Sequence, residues 1–177
     1  MFQVDPKELK VQISMKDIDL SGYIPGAIGR ITELHATYYK QHWDFDLYFE
    51  SKVATELSEF LNRFDSTRDG FWLLKVNGIM VGSVSIDGKK ANTTGARLRW
   101  FIVDPKFQGR GLGHILLREA VNFCRRSSFR RVYLYSFAGL DPARHLYEKF
   151  GFRISEEQED KTWGKTVTEQ IFELILE

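Results

Sequence analysis

The stretch Val103-Asp104-Pro105-Lys106-Phe107-Gln108-Gly109-Arg110-Gly111-Leu112-Gly113-His114 decides how this chain is read. An apolar, strand-like run (97–103) leads into it and a helical pattern (114–127) leads out of it. Asp104-Pro105 stops the strand, because proline fixes φ and has no N–H to give to a sheet ladder. Glycines at 109, 111 and 113 then permit positive φ and a close approach of backbone to a ligand. The helix follows at once, so its free N–H groups and the positive end of its dipole face the loop. Strand, glycine loop and helix N-terminus together suit a phosphate or pyrophosphate. An ordinary strand-to-helix turn is the plainer reading, but it has no need of so many glycines.

Spacing narrows the ligand. A dinucleotide pattern G-x-G-x-x-G begun at Gly109 needs glycine where His114 stands; begun at Gly111, it needs glycine where Leu116 stands. No glycine of the loop is followed by Lys-Ser or Lys-Thr, so the P-loop pattern is absent there. What remains is Q-x-x-G-x-G, on Gln108, Gly111 and Gly113.

Composition sets outer limits. At 177 residues, 43% hydrophobic and 28% charged, the chain is expected to fold as one globular domain over residues 1–177. Its net charge of +1 argues against an extended nucleic-acid or anionic-membrane surface. The single cysteine, Cys124, sits in a helical pattern as a core residue and suits a reducing cytoplasm. No signal peptide is expected from Met1-Phe2-Gln3-Val4-Asp5, and no run approaches the roughly 18 apolar residues of a membrane span.

Working outward, residues 9–13 alternate as a short first strand. Ile24, Ile28, Ile31, Leu34 and Tyr38 mark an amphipathic helix from Gly22 to about His42, and Val53, Leu57, Phe60 and Phe64 a second from Phe49 to Phe64. Phe71 to Val76 and Met80 to Ile86 read as strands joined by the hairpin signal Asn77-Gly78. A polar loop (87–95) precedes the strand at 97–103. Beyond the helix at 114–127 come a strand from Arg131 to Phe137 and a short helix with Asp141 as N-cap and Pro142 at its first position. Gly151 ends that helix. Strands from Phe152 to about Glu156 and from Thr168 to Leu176 close the chain.

The order β-αα-βββ-α-β-α-ββ, the Q-x-x-G-x-G loop and the segment Ala143-Arg144-His145-Leu146-Tyr147-Glu148-Lys149-Phe150-Gly151-Phe152, read as A-x-x-L-Y-x-x-x-G-F, together resemble the GNAT N-acetyltransferase superfamily. The segment 161–170 and the helix at 22–43 further resemble acetyltransferase domains fused to MarR-type repressors, although no repressor domain is present here. The resemblance implies an α+β fold of α/β/α layers, with a mixed, mostly antiparallel seven-stranded sheet and helices on both faces. It also implies acetyl-CoA as co-substrate and direct acetyl transfer to an amine of a small molecule, amino acid or peptide.

Site residues follow from the same resemblance. The loop Gln108, Gly109, Arg110, Gly111, Leu112, Gly113 and His114 would cradle the pyrophosphate, with Arg110 either contacting a phosphate or simply solvated. Ile102 and Val103 would pair with the pantetheine arm like an added strand, where a splay between the strands at 97–103 and 131–137 admits it. Tyr147, by spacing alone a packing residue, matches the general acid that protonates the leaving thiolate. General acid catalysis contributes about 10²–10⁴-fold. The chain departs from the pattern at Leu140, where many members carry an asparagine that contacts the arm.

The base and the acceptor are less legible. At pH 7 deprotonating an α-amine costs about 1.4 kcal/mol and a lysine-type amine about 4.6 kcal/mol. The strand at 97–103 carries Arg97 and Arg99 and no carboxylate, so Glu33, His35, His42 or a water chain are the candidates. Tyr38, Tyr39, Trp43 and Trp163 are expected either to wall the acceptor pocket or to serve as core or homodimer contacts. His114 and His145 share no metal-ligand spacing, and no metal is expected. Two other readings stand beside the enzyme of small amines: a non-catalytic acyl-CoA-binding module and a protein lysine acetyltransferase. A DNA-binding regulator fits the charge poorly.

Overall fold

The computed structural model describes residues 14–177. In chain order the elements are β1 (Ile18–Ser21), α1 (Ala27–Trp43), α2 (Leu47–Asn62), β2 (Gly70–Val76), β3 (Ile79–Asp87) and β4 (Ala96–Val103). Then follow α3 (Leu112–Arg126), β5 (Arg131–Phe137), α4 (Asp141–Lys149), β6 (Arg153–Asp160) and β7 (Val167–Ile175). The strand expected at 9–13 lies outside the described residues. β1 is instead a four-residue strand whose Asp19 and short length hide it from any apolar pattern.

Seven strands form one sheet in the order β1-β2-β3-β4-β5-β7-β6. Among the described residues every neighbouring pair is antiparallel except β4 and β5. Asn77 and Gly78 both adopt positive φ, at 50° and 79°, the turn whose twist matches the β2–β3 hairpin. β6 runs to Asp160 as an exposed, acidic strand at the sheet edge, and such charge hinders pairing with a foreign strand.

Helices cover both faces. Leu116, Leu117, Ala120, Val121 and Cys124 of α3 pack with Val81, Val84, Leu98, Val132 and Phe172 on one side. Ile31, Leu57 and Phe60 of α1 and α2 pack with Leu73, Met80, Trp100 and Phe137 on the other. Each such leucine removes enough apolar surface from water to contribute roughly 1.5–3 kcal/mol. One helix start differs from the expected one. Leu140, not Asp141, is the N-cap of α4, and its carbonyl accepts the first helical bond from Arg144 N–H at 2.9 Å. Asp141 is thereby the first helical residue, where its charge meets the helix dipole.

β4 carries the feature that shapes everything around it. Ser83 of β3 stands opposite Ile102 and Ser85 opposite Arg99, so β4 holds one extra residue between them. Trp100 supplies the bulge with φ of 45°, and Ser83 Oγ donates to its carbonyl at 2.7 Å. The alternation of side chains reverses there. Leu98 faces the α3 core, whereas Trp100 and Ile102 face the α1–α2 core. Past Arg97–Tyr133, β4 makes no further pair with β5.

Candidate active site

The parting of β4 from β5 opens a cleft of about 680 Å³ that runs from the glycine loop to the α1–α2 side of the sheet. At one end lies the loop. Gly109 and Gly111 adopt φ of 73° and 78°, a region that side chains disfavour. Gly111 is the N-cap of α3, which starts two residues earlier than its apolar pattern suggests. Ile115 N–H makes the bond to Gly111 at 3.2 Å, so the amides of Leu112, Gly113 and His114 precede the first intrahelical bond.

Gly113 has a different task from the other two. A Cβ there would stand 3.2 Å from Leu146 Cδ2 and 3.4 Å from the Phe101 ring, so this glycine lets α3 sit close to α4 and β4. Gln108, Gly109, Gly111, Leu112, Gly113 and His114 line the cleft. Gln108 Nε2 folds back to donate to the Val103 carbonyl at 3.0 Å. Arg110 lies outside the lining, with its guanidinium 5.6 Å from the Phe107 ring centre. Asp104 anchors the loop from below: it accepts from Lys106 N–H at 3.0 Å and from Arg30 at 2.8 Å.

Ile102 and Val103 border the cleft at the end of β4. The absence of β5 pairing past Arg97, the positive-φ loop and the first-turn amides of α3 that precede its first intrahelical bond border one continuous cleft. An extended arm ending in a diphosphate fits these residues, with strand edge for the arm and amide N–H groups for the phosphates. Leu140 is buried at the cleft wall, where an asparagine amide would have been a polar contact.

Tyr147 stands in the middle. Its ring packs against Phe101, Phe152 and Phe172 at centroid distances of 5.9, 6.0 and 5.5 Å, and the residue also lines the cleft. Burial, with a smaller effect from Tyr39, pushes its hydroxyl far above the usual tyrosine range, so it is protonated at any physiological pH.

On the α1–α2 side the lining turns aromatic and charged. Tyr38, Tyr39, Phe49 and Trp163 border it, together with His35, Lys52, Glu56, Arg97 and Arg99. Trp43 does not line the cleft; it packs on Tyr39 and Phe137 and covers Gly139. Of the base candidates, Glu33 pairs with Arg30 in solvent and His42 packs against Tyr38, both away from the cleft. His35 does border it, but burial lowers its pKa from 6.5 to about 4. A group of that basicity takes a proton from an ammonium only steeply uphill.

Sequence reasoning passed over Glu56, Lys52 and Glu169. Glu56 is ion-paired with both Lys52 and Arg99. Burial works to raise its carboxyl, yet the Lys52 hydrogen bond and the Arg99 charge outweigh it and hold the carboxyl below the usual range. Glu169, buried beside Phe137 on β7, accepts from Trp163 Nε1 at 2.6 Å, and burial raises its carboxyl. Lys52 and Glu56 stand one helical turn apart beside the Val53–Leu57 stripe, a charged border on an apolar face that the sequence does display. Among the described residues no group of three His, Cys, Asp or Glu side chains is placed to hold a metal ion, and no helix is long and apolar enough to cross a membrane.

A seven-stranded mixed sheet forked at β4–β5, with a glycine loop at the open end, is the architecture of the N-acetyltransferase fold. The chain belongs to the acetyltransferase (GNAT) family, whose model matches residues 30–152. It is 29% identical over 134 residues to an uncharacterized N-acetyltransferase of Methanocaldococcus jannaschii, covering 73% of this chain and 58% of that protein. It is 29% identical over 128 residues to the N-acetylaspartate synthetase of Danio rerio, covering 72% of this chain and 45% of that one. The matches thus span about half the length of these curated relatives. Among solved structures, Salmonella typhimurium YncA, which holds acetyl-CoA as its cofactor, superposes with a TM-score of 0.69 at 17% identity, over 91% of this chain and 95% of that one.

Proposed function

We propose that this protein is an acetyl-CoA-dependent N-acetyltransferase that acts on a primary amine of a small molecule, amino acid or peptide. The observation that carries the reading is the channel between β4 and β5, which joins the glycine loop to Tyr147 and then to a separate aromatic and charged pocket. Acetyl-CoA supplies an acetyl thioester, from which the acetyl passes to the amine as the C–S bond breaks, with one proton leaving nitrogen and one reaching sulfur. Ile102 and Val103 offer strand edge to the arm, and the amides around Gly109 to His114 receive the phosphates. On this reading Arg110, outside the cleft lining, meets a phosphate at the rim.

Tyr147 holds its proton at the sulfur position and donates it, or a hydrogen bond, to the departing thiolate. The base is the weaker part of the site: Glu56 is held by two cations and His35 is a weak base. That favours an amine already partly neutral at pH 7, such as an α-amine, over the lysine side chains of proteins. Tyr38 and Trp163 wall the acceptor on this reading, while Trp43 supports Tyr39 from behind.

The same reading takes residues 1–177 as a single domain working in a reducing cytoplasm, without metal. The likeness to MarR-linked acetyltransferase domains rests on the segments carrying Tyr38 and Trp163, both at the acceptor end. A homodimer is a further part of the proposal.

Calorimetry with acetyl-CoA, followed by CoA thiol release across a panel of amines, tests it. Binding with release on one amine class is the expected result. Binding without release on any amine would establish the non-catalytic module instead, and no binding would remove the loop assignment.

A further inference from the structure

On the acceptor side the cleft is lined by three cations, Lys52, Arg97 and Arg99, and one carboxylate, Glu56. Upstream of the Trp100 bulge, Arg97 and Arg99 both border the cleft, and Lys52 reaches it from α2. Three carboxylates stand around them, and each is already engaged. Glu56 is held between Lys52 and Arg99. Asp87 accepts from Arg63 at 2.5 Å and lies 3.8 Å from Arg99. Glu169 takes the Trp163 indole N–H.

Arg97 is the cation left over. The fields of Glu56 and Glu169 reach it, but among the described residues no carboxylate is in ion-pair contact with it. Its guanidinium carbon lies 4.5 Å from the Tyr135 ring centre, a cation–π contact that holds the group beside the ring. Its Nε is buried at the cleft wall with no hydrogen-bond partner. A buried N–H of a charged group left unpaired is unfavourable, and an oxygen pair brought by a ligand relieves it.

We propose that the acceptor amine carries a carboxylate, and that Arg97 is the residue that receives it. A guanidinium without an ion-pair contact and with an unpartnered buried Nε offers a planar pair of donors to one carboxylate, and the nearby Glu56 and Glu169 charges disfavour the nearly doubly charged phosphate. The proposal names the substrate class for the acetyl-transfer reading and rests on it. It makes Arg97 a specificity residue of the acceptor site: it selects acids over the corresponding neutral amines.

The test uses L-amino acids and their carboxamides, which share side chain and α-amino position and differ in the carboxylate; because the amide's amine is the less basic, kcat/KM is compared per neutral amine. Thiol release from acetyl-CoA is followed for each pair with the wild-type protein, Arg97→Gln and Arg97→Lys. The expected wild-type preference for the acid is about 10- to 100-fold in kcat/KM, the range of a charge-assisted hydrogen bond. Arg97→Gln should bring that ratio close to one, while Arg97→Lys keeps part of it and acetyl-CoA affinity holds in both. Equal use of acid and amide by the wild type, or an undiminished ratio in Arg97→Gln, overturns the proposal while leaving acetyl transfer standing. Binding of the same pairs, read by saturation-transfer NMR, covers the case of no turnover. Acid-selective binding lost in Arg97→Gln supports Arg97 even if acetyl transfer fails, and unselective binding or no binding overturns it.

Discussion

Replacing Tyr147 with phenylalanine removes one oxygen from the centre of the cleft and little else. The ring contacts with Phe101, Phe152 and Phe172 all persist, so the change in unfolding free energy should stay below about 1 kcal/mol. Acetyl-CoA affinity should likewise hold, because the proposed arm and phosphate contacts come from β4 and the loop. The effect on turnover follows from relative acidity. An ordinary tyrosine is a weaker acid than a thiol of pKa about 8.5, by about 1.5 units, and burial pushes Tyr147 further in that direction. Complete proton transfer to the thiolate is therefore uphill by at least about 2 kcal/mol. Tyr147 then acts mainly by donating a hydrogen bond to developing negative charge, a contribution of about 1.5–3 kcal/mol. Tyr147→Phe should lower kcat about 10- to 100-fold, at the low end of general acid catalysis. Continuous detection of released CoA thiol gives kcat, and calorimetry gives the Kd for acetyl-CoA. An unchanged kcat refutes the assigned role, whereas a loss beyond about 10⁴-fold with Kd intact refutes the acidity argument.

Three further predictions concern the frame of the site. Gly82→Ala places a Cβ 2.8 Å from the Ile102 carbonyl oxygen, a backbone atom, so β3 and β4 must separate; a loss of about 1–3 kcal/mol in urea unfolding and weaker acetyl-CoA binding are expected. Asp104→Ala removes the acceptor for Lys106 N–H and the partner of Arg30, and should lower stability by roughly 2 kcal/mol in the same assay. His35 is neutral in the fold down to pH of about 4, while the unfolded chain protonates it near 6.5. The unfolded state thus binds more protons between these values, stability falls as pH drops through that window, and it is fully present above 6.5. From pH 7 to pH 5 the loss assigned to His35 is about 2 kcal/mol; it should be absent from His35→Gln and so appear as the change in the stability difference between the two proteins in paired urea titrations.

The motifs made the glycine-loop end of the cleft legible as structure. Local chemistry governs it: proline stops β4, glycines supply positive φ at 109 and 111, and α3 follows at once. The hairpin at Asn77-Gly78 and the strand Arg131–Phe137 were equally local. The α1–α2 end was not, because it depends on pairings between distant elements. Nothing in the run Arg97-Leu98-Arg99-Trp100 announces that Trp100 takes φ of 45° and reverses which side chains face α2. Without that reversal the meeting of Arg99 with Glu56, 43 residues apart, has no visible cause. Trp43 shows the converse: its aromatic helix end suited a pocket wall and a core contact equally, and the ring packs on Phe137 outside the cleft lining. Asp141 was displaced as cap by one residue because α4 begins its bonding at Leu140.

The extra residue at Trp100 also divides the labour of β4 along its length. Residues 97 and 99, before it, line the cleft where the acceptor is proposed to sit, while 102 and 103, after it, border the part proposed for the arm. Two binding problems are thereby written into consecutive segments of one strand without sharing a side chain. Such a layout is modular in the evolutionary sense: on the proposed reading, substitutions at 97 and 99 retarget the protein to a new amine while the cofactor's half of the strand is left as it was.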